Sequence, residues 1–307
     1  MTLQQLEYVL AVDQYRHFAK AAASCGVQQS TLSTLVKKLE EELDTVIFNR
    51  DSHPVEPTEL GRSIIDQARV TLYNASQLSD LVAHAREQTA GELRLAVIST
   101  VAPVLLPGLY SYCKEKHPEV LLHSYEMLSS TILTKLRLAE IDMAVLSEPV
   151  PTGGLLSMPL YSERFYAFVS PAEPAFQKTA LSREDIFSSN LWVLKDGITP
   201  FRPEAGQTVY DYTEFYEGGR VEVLLRIVEA SHGMAIIPEN IIPLLSPERQ
   251  RCVRPIRTDR ENKRTLSLVV RSDYVKERLV NTILDGIRTV IRPEQYEWAL
   301  KQVRVRL

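Results

Sequence analysis

Residues 17–43, HFAKAAASCGVQQSTLSTLVKKLEEEL, constrain this chain more than any other segment. They read as two short helices joined by a tight turn. Leu32, Val36, Leu39 and Leu43 are spaced four, three and four apart and so fall on one helix face. Gln29, Ser33 and Lys37 run down another face. Cys25-Gly26 stops the earlier helix, glycine being the usual residue at a helix end. A helix with one apolar face for packing and one polar face for a groove is what a helix-turn-helix offers to DNA.

The flanking segments extend that unit. Residues 3–14 predict a first helix with Leu3, Leu6 and Leu10 on one stripe. Phe18 and the alanines at 21–23 open a small-residue helix that can approach a neighbour closely. Residues 47–57, IFNRDSHPVEP, predict a strand, a turn and a second strand, a "wing". Residues 59–88 contain no proline. Ile64, Ala68, Thr71, Ala75, Leu78, Val82 and Ala85 repeat there at the spacing of a coiled-coil seam. At ~1.5 Å per residue such a helix is a rod of roughly 40 Å, suited to pairing with a second copy; the other reading is an amphipathic helix packed on its own domain.

Gly91 opens a different texture. Apolar runs at 92–99, 120–126 and 142–146 alternate with helix-like stretches at 103–116 and 129–139. Strand-like runs at 164–170, 190–195, 234–238 and 264–270 continue the pattern, with helices at 219–230 and near 275–291. The tail adds a short helix and a basic end. This alternation predicts parallel β-α-β units.

Composition narrows the function class. The 307 residues are 45% hydrophobic and 24% charged, enough for two or three packed domains. No apolar run reaches the ~18 residues of a membrane span, and the N-terminus lacks the pattern of a signal peptide. Cys25, Cys113 and Cys252 form neither a C-x-x-C motif nor a metal-ligand cluster, which fits a reducing cytoplasm and no bound metal or cofactor. No G-x-S-x-G, P-loop, G-x-G-x-x-G or H-E-x-x-H occurs, so an α/β enzyme with an appended helical domain is the disfavoured alternative. Residues 1–60 carry five Lys/Arg against nine Asp/Glu. A broad basic footprint for nucleic acid is therefore missing, and recognition must rest on a few placed groups and on doubling of the site.

The first 65 or so residues resemble the winged helix-turn-helix of LysR-type transcriptional regulators. The residues that carry the likeness are Leu6-Glu7-Tyr8, Phe18 with Ala21-Ala22, Val27-x-Gln29-x-x-Leu32-Ser33, Leu39-Glu40-x-Glu42-Leu43, Phe48-x-Arg50 and Thr58-x-x-Gly61. The likeness extends over the chain and is strongest to the peroxide-sensing OxyR branch. Arg16-His17-Phe18, Ala22-x-Ser24-Cys25 and Ser99-Thr100-Val101-x-Pro103-x-Leu105-Leu106-Pro107 are similar there. The resemblance implies an α+β multidomain chain: a winged helix-turn-helix (1–58), a long linker and dimerisation helix (59–88), and a two-lobed, periplasmic-binding-protein-like α/β effector domain (91–307). Its lobe I would take about 91–162 and 267–307, and lobe II about 163–266. The implied partners are a promoter inverted repeat in double-stranded DNA, a small effector and a second copy through the linker helix, with tetramers and RNA polymerase beyond. The implied role is a sequence-specific regulator and not an enzyme.

The departures bear on the signal. In the OxyR branch a reactive cysteine follows a Leu-x-Asp-Gly-x stretch. Here Leu194-Lys195-Asp196-Gly197-Ile198 leads to Thr199, and no cysteine lies between 113 and 252. A threonine hydroxyl forms neither a sulfenic acid nor a disulfide. The wing reads Asp51-Ser52-His53-Pro54 where relatives often carry Arg or Lys, and Asp44 replaces a common glycine, which predicts an altered turn.

Two sets of site residues follow. For DNA, Gln29 occupies the base-reading position, since its amide both donates to and accepts from adenine. Gln28, Ser30, Thr31, Ser33 and Thr34 share that end of the helix. Lys37, Lys38 and Arg50 are candidate phosphate anchors, with His53 on the wing. A Lys-Lys pair is equally the mark of a solvated face. For the effector, the resemblance places a cleft at Ser99, Thr100 and Val101, with Ser129 and Ser130 on the next helix, although Ser and Thr at such places also cap helices. Thr199, Pro200 and Phe201 make a stiff apolar loop suited to binding, and His232 is a candidate that responds to pH or ligand, although a histidine at such a turn is more often a plain surface residue. An alternative regulator would sense redox state through Cys252 or Cys113. Cys252 lies between Arg251 and Arg254, and nearby cations lower a thiol pKa.

Overall fold

The computed structural model describes residues 1–85, 91–151, 153–187, 190–194, 213–216, 219–258, 262–302 and 304–306. It divides into two compact units, Met1–Gln88 with Arg137–Glu140, and Thr89–Leu136 with Ile141–Leu307.

The first unit is built from α1 (Leu3–Tyr15), α2 (Phe18–Ser24), α3 (Gln29–Glu42), the short strands β1 (Phe48–Asn49) and β2 (Glu56–Pro57), and α4 (Glu59–Ala85). Thr2 and Gln5 start α1 with a reciprocal capping box, which satisfies backbone amides that the helix itself leaves open. Gly26 takes a left-handed conformation (φ 68°) in the turn between α2 and α3, where a Cβ would be strained. Leu32, Val36 and Leu39 of α3 are fully buried with Leu6, Val9 and Val12 of α1 and Ile47 and Phe48 of the wing. Leu43 departs from the expected stripe: it is the residue after the helix and is 40% exposed. Asp44 adopts φ 48°, the left-handed region that Asp tolerates better than most residues, and the turn closes with Thr45 N–H donating to the Glu40 carbonyl. The wing strands pair antiparallel, Phe48 with Pro57 and Asn49 with Glu56.

The linker seam is partly consumed within this unit. Ile65 and Ala68 of α4 are buried in its core, and Ile64 and Leu72 pack against it. Leu78, farther along, is 68% exposed.

The second unit contains β3 (Gly91–Val97), α5 (Ala102–Lys116), β4 (Val120–Glu126), α6 (Ser129–Arg137), β5 (Met143–Ser147), β6 (Leu155–Val169), α7 (Arg183–Phe187), β7 (Leu191–Leu194), β8 (Thr213–Tyr216), α8 (Val221–Ser231), β9 (Met234–Pro238), α9 (Pro247–Gln250), β10 (Val253–Pro255), β11 (Lys263–Arg271), α10 (Glu277–Arg288) and α11 (Trp298–Lys301). Among the described residues the strand order is β4-β3-β5-β11-β6-β9-β7-β8, with β10 on β6. Parallel pairing of β3 with β4 and β5 makes one β-α-β lobe, and of β7 with β8 and β9 the other. The long β6 joins them. It pairs with β11 as far as Arg164 and with β9 from Phe165 onward, so one strand crosses from lobe to lobe and β11 returns beside it.

Each lobe has its own apolar core. Leu105, Leu109 and Cys113 of α5 are buried at four-residue steps, and Ile283, Leu284 and Ile287 of the packed helix α10 are buried as well. Val221, Leu224, Leu225 and Val228 of α8 turn to the second core with Phe168, Ile186 and Ile236. Among the described residues, no helix is long and apolar enough to cross a membrane.

Candidate functional site

The outer face of α3 is open. Gln28 precedes the helix with no side-chain cap, and Gln28, Gln29, Ser30, Thr31, Thr34, Lys37 and Lys38 are exposed, opposite the buried Leu32, Val36 and Leu39. Lys37 pairs with Glu41 one turn on, at 3.5 Å and in full solvent, a contact of small energetic weight.

Arg50 is not the free phosphate anchor that its charge suggests. Its guanidinium donates to Glu40 Oε2 at 2.9 Å and to Ser33 Oγ at 3.1 Å, and lies 5.0 Å over the Phe18 ring. Glu40 is 8% exposed, and its Oε1 accepts the backbone N–H groups of Ile47 and Phe48. One carboxylate thus ties the first strand of the wing to the reading helix, and Arg50 completes the brace. Ser33, half-buried, belongs to the brace too. Sequence reasoning missed Glu40, which counts there as one more surface acid. The signal was its place four residues after Val36 and beside Leu39, on the flank of the buried stripe. His53 is exposed at the wing tip, its Nδ1 2.8 Å from the Ser52 carbonyl.

The second site lies between the lobes. Ser99, after β3, is half-buried and lines a cavity of about 230 Å³. Pro103, Glu126, Arg220, Val221, Glu222, Leu225, Ile241, Leu244 and Leu245 form the rest of its wall. Gly219 comes so close to Ser99 that a Cβ there would stand 2.3 Å from its hydroxyl, so only glycine lets the chain ahead of α8 meet the β3–α5 turn. Thr100 is 3% exposed with no partner for its hydroxyl among the described residues, and Val101 is buried. Ser129 begins α6, half-buried, and Ser130 is exposed; neither lines the cavity.

His232 departs from its expected place in the cleft. It follows the last residue of α8, eleven residues from the end that lines the cavity, or about 16 Å at ~1.5 Å each. Its φ of 65° carries the chain into Gly233, whose N–H donates to Glu173. Thr199, Pro200 and Phe201 lie outside the described residues.

Sequence reasoning missed the charged wall of the cavity. Glu222 is held below the ordinary carboxylate range, first by the hydrogen bond from Arg249, and it also accepts from Arg226 at 3.0 Å. Arg220 stands at the N-cap of α8 with no side-chain capping bond and no carboxylate partner among the described residues. Glu126 ends β4, exposed and without a salt bridge among the described residues. No motif announces these residues, because the two lobes bring them together from positions about a hundred apart.

The cysteines are placed against thiol chemistry. Cys113 and Cys252 are 3% and 8% exposed. Burial pushes both thiols up, and for Cys252 it outweighs the lowering by Arg254 and Arg249. The alternative of a reactive thiol at Cys252, suggested by its flanking arginines, loses support, because desolvation works against charge there. Cys25 is half-buried.

A helix-turn-helix with a braced wing, followed by a long helix and a two-lobed α/β domain with a cavity between its lobes, is the build of a bacterial transcription regulator with an effector-binding domain. The chain belongs to the LysR family: residues 3–62 match the bacterial regulatory helix-turn-helix protein, lysR family, and residues 86–292 match the LysR substrate binding domain. It is 28% identical to the hydrogen peroxide-inducible genes activator of Haemophilus influenzae over 95% of this chain and 99% of that one. It is 29% identical to the DNA-binding transcriptional dual regulator OxyR of Escherichia coli K12, covering 94% and 95% of the two chains. A full-length OxyR of Pseudomonas aeruginosa carrying a cysteine-to-aspartate change superposes with a TM-score of 0.75 at 27% identity, over 94% of this chain and 95% of that one.

Proposed function

We propose that this LysR-family regulator reads DNA through the exposed face of α3 and answers to a small molecule held non-covalently between its lobes. The observation that carries the reading is the division of α3. Its apolar stripe is locked into the first core, while Gln29 and its neighbours stand in solvent on a helix fixed to the wing by Glu40. Gln29 reads a base edge, Lys37 and Lys38 meet phosphates, and Arg50 holds the wing in register for His53 to approach the backbone. Two copies pair through the part of α4 beyond the residues that pack on their own unit, which sets two reading helices on an inverted repeat.

The Haemophilus influenzae relative is a hydrogen peroxide-inducible genes activator, but a thiol switch has little support in this chain. No cysteine occurs between 113 and 252, and both of those thiols are buried with raised pKa. The polar groups of the cavity wall are the Ser99 hydroxyl and the charged Glu126, Arg220 and Glu222, none of them a thiol. Footprinting on the DNA upstream of the protein's own gene, with and without extracted metabolites, tests the reading. Protection over an inverted repeat that shifts with extract supports it. Protection that follows no repeat counts against it.

A further inference from the structure

We infer that the cavity between the lobes takes a small apolar α-amino acid, with its carboxylate on Arg220 and the amino end of α8 and its ammonium on Glu126. The proposal rests on the reading of the lobe cleft as the effector site and names the chemical class that site accepts.

Three observations carry it. The first is the pair of unspent charges. Arg220 in one lobe and Glu126 in the other line the same cavity; both are exposed, met by water alone, and neither has an opposite charge within salt-bridge distance among the described residues. Glu222, the third charged group of the wall, is neutralised by Arg249 and Arg226 at 2.7 and 3.0 Å. A ligand that is only an anion would leave Glu126 beside it unmatched, and one that is only a cation would leave Arg220 so. A zwitterion satisfies both, and by spanning the two lobes it draws them together.

The second is the identity of the residue at the N-cap of α8. Helices favour an acceptor there, Ser, Thr, Asp or Asn, because the first amides point outward without partners. This helix has arginine, makes no side-chain capping bond, and closes its first backbone bond only at Leu224 N–H to the Arg220 carbonyl. A cation at the positive end of a helix is unfavourable until an anion joins it. The third is the remainder of the wall. Leu225, Ile241, Leu244 and Leu245, with Pro103 opposite, are apolar. The volume of about 230 Å³, at ~30 Å³ per water, holds roughly eight waters, close in number to the nine non-hydrogen atoms of leucine, isoleucine or methionine.

Isothermal titration calorimetry on the full chain tests this with L-leucine, L-isoleucine and L-methionine. Two truncated probes accompany them: 4-methylpentanoate, which lacks the ammonium, and 3-methylbutylamine, which lacks the carboxylate. At least one amino acid binds saturably, and both truncated probes bind about tenfold more weakly, the worth of one charged hydrogen bond. Arg220→Ala weakens the amino acid by about tenfold or more, Arg220→Lys recovers part of the loss, and the response to 3-methylbutylamine does not change. Circular dichroism of each variant confirms the fold. Absence of saturable binding for all three amino acids overturns the proposal, as does 4-methylpentanoate binding as tightly as leucine, or unaltered amino-acid affinity in Arg220→Ala. Footprints from the same preparations separate the two levels. A footprint that responds to extracted metabolites while no amino acid binds removes only the ligand class. A footprint indifferent to extract removes the effector cleft itself.

Discussion

Glu40 shows how much one side chain carries. Its carboxylate satisfies two backbone amides of the wing and an arginine, so its loss strands three donors at once. Glu40→Ala is expected to destabilise the first unit by about 2 kcal/mol, since unsatisfied buried groups cost ~1–3 kcal/mol, and to lower its calorimetric transition by roughly 10 °C. Arg50→Ala removes a partner that reaches solvent, and is expected to cost less than about 1 kcal/mol. Equal losses from the two changes would mean that the brace depends on the ion pair rather than on the amides. Gln29 and Lys37 separate by specificity. Gln29→Ala relaxes the base preference at one position of each half-site, whereas Lys37→Ala weakens all sequences alike and lowers the salt dependence by about one unit; a binding-site selection assay at two salt concentrations distinguishes them. The thiols make a third prediction. Mild peroxide leaves Cys113 and Cys252 unmodified by mass spectrometry in the native protein, and both alkylate readily after unfolding. A sulfenic adduct or disulfide at Cys252 under native conditions would restore a redox switch.

At the scale of elements, what the sequence shows plainly is periodicity. The buried stripe of α3, the strands at 120–126 and 234–238, and α5 and α8 within two residues of their ends were all visible, because each repeats apolar residues at its own period. The strand β6 was seen only in its second half. Its first half, LLSMPLYSER, mixes polar residues and a proline into positions that the sheet buries from one side, which blurs the alternation. The linker helix was legible as a helix but not in how its faces are spent. Ile64 and Ala68 read as part of a dimer seam, yet they pack within their own unit, and an apolar stripe does not say whose surface will cover it. The exposed Leu78 marks where a partner is expected. Leu78→Glu should lower the mass from light scattering toward that of one chain. An unchanged mass would move the dimer contact elsewhere.

For the whole molecule, the candidate sites divide by how they are assembled. The DNA face comes from one continuous segment, so the residues near Gln29 could be picked out from spacing alone. The cleft comes from four separated segments, and its Arg220 and Glu126 carry no motif. Resemblance marked Ser99 and Thr100, of which only Ser99 lines the cavity, and His232 is exposed outside its lining, because proximity in sequence to α8 does not say which end of the helix faces the lobes' junction. What the fold adds is a continuous link between the lobes: β6 pairs with β11 as far as Arg164 and with β9 from Phe165 onward, so a ligand that changes the lobe angle acts on this strand. The most direct test of a DNA-reading regulator gated by its cleft is a footprint on its own upstream DNA with extracted metabolites, run for the natural chain and for Ser99→Trp, which fills the cavity. The account predicts an inverted repeat protected in both proteins and an extract-dependent shift in the natural chain alone. The same shift in Ser99→Trp would contradict it.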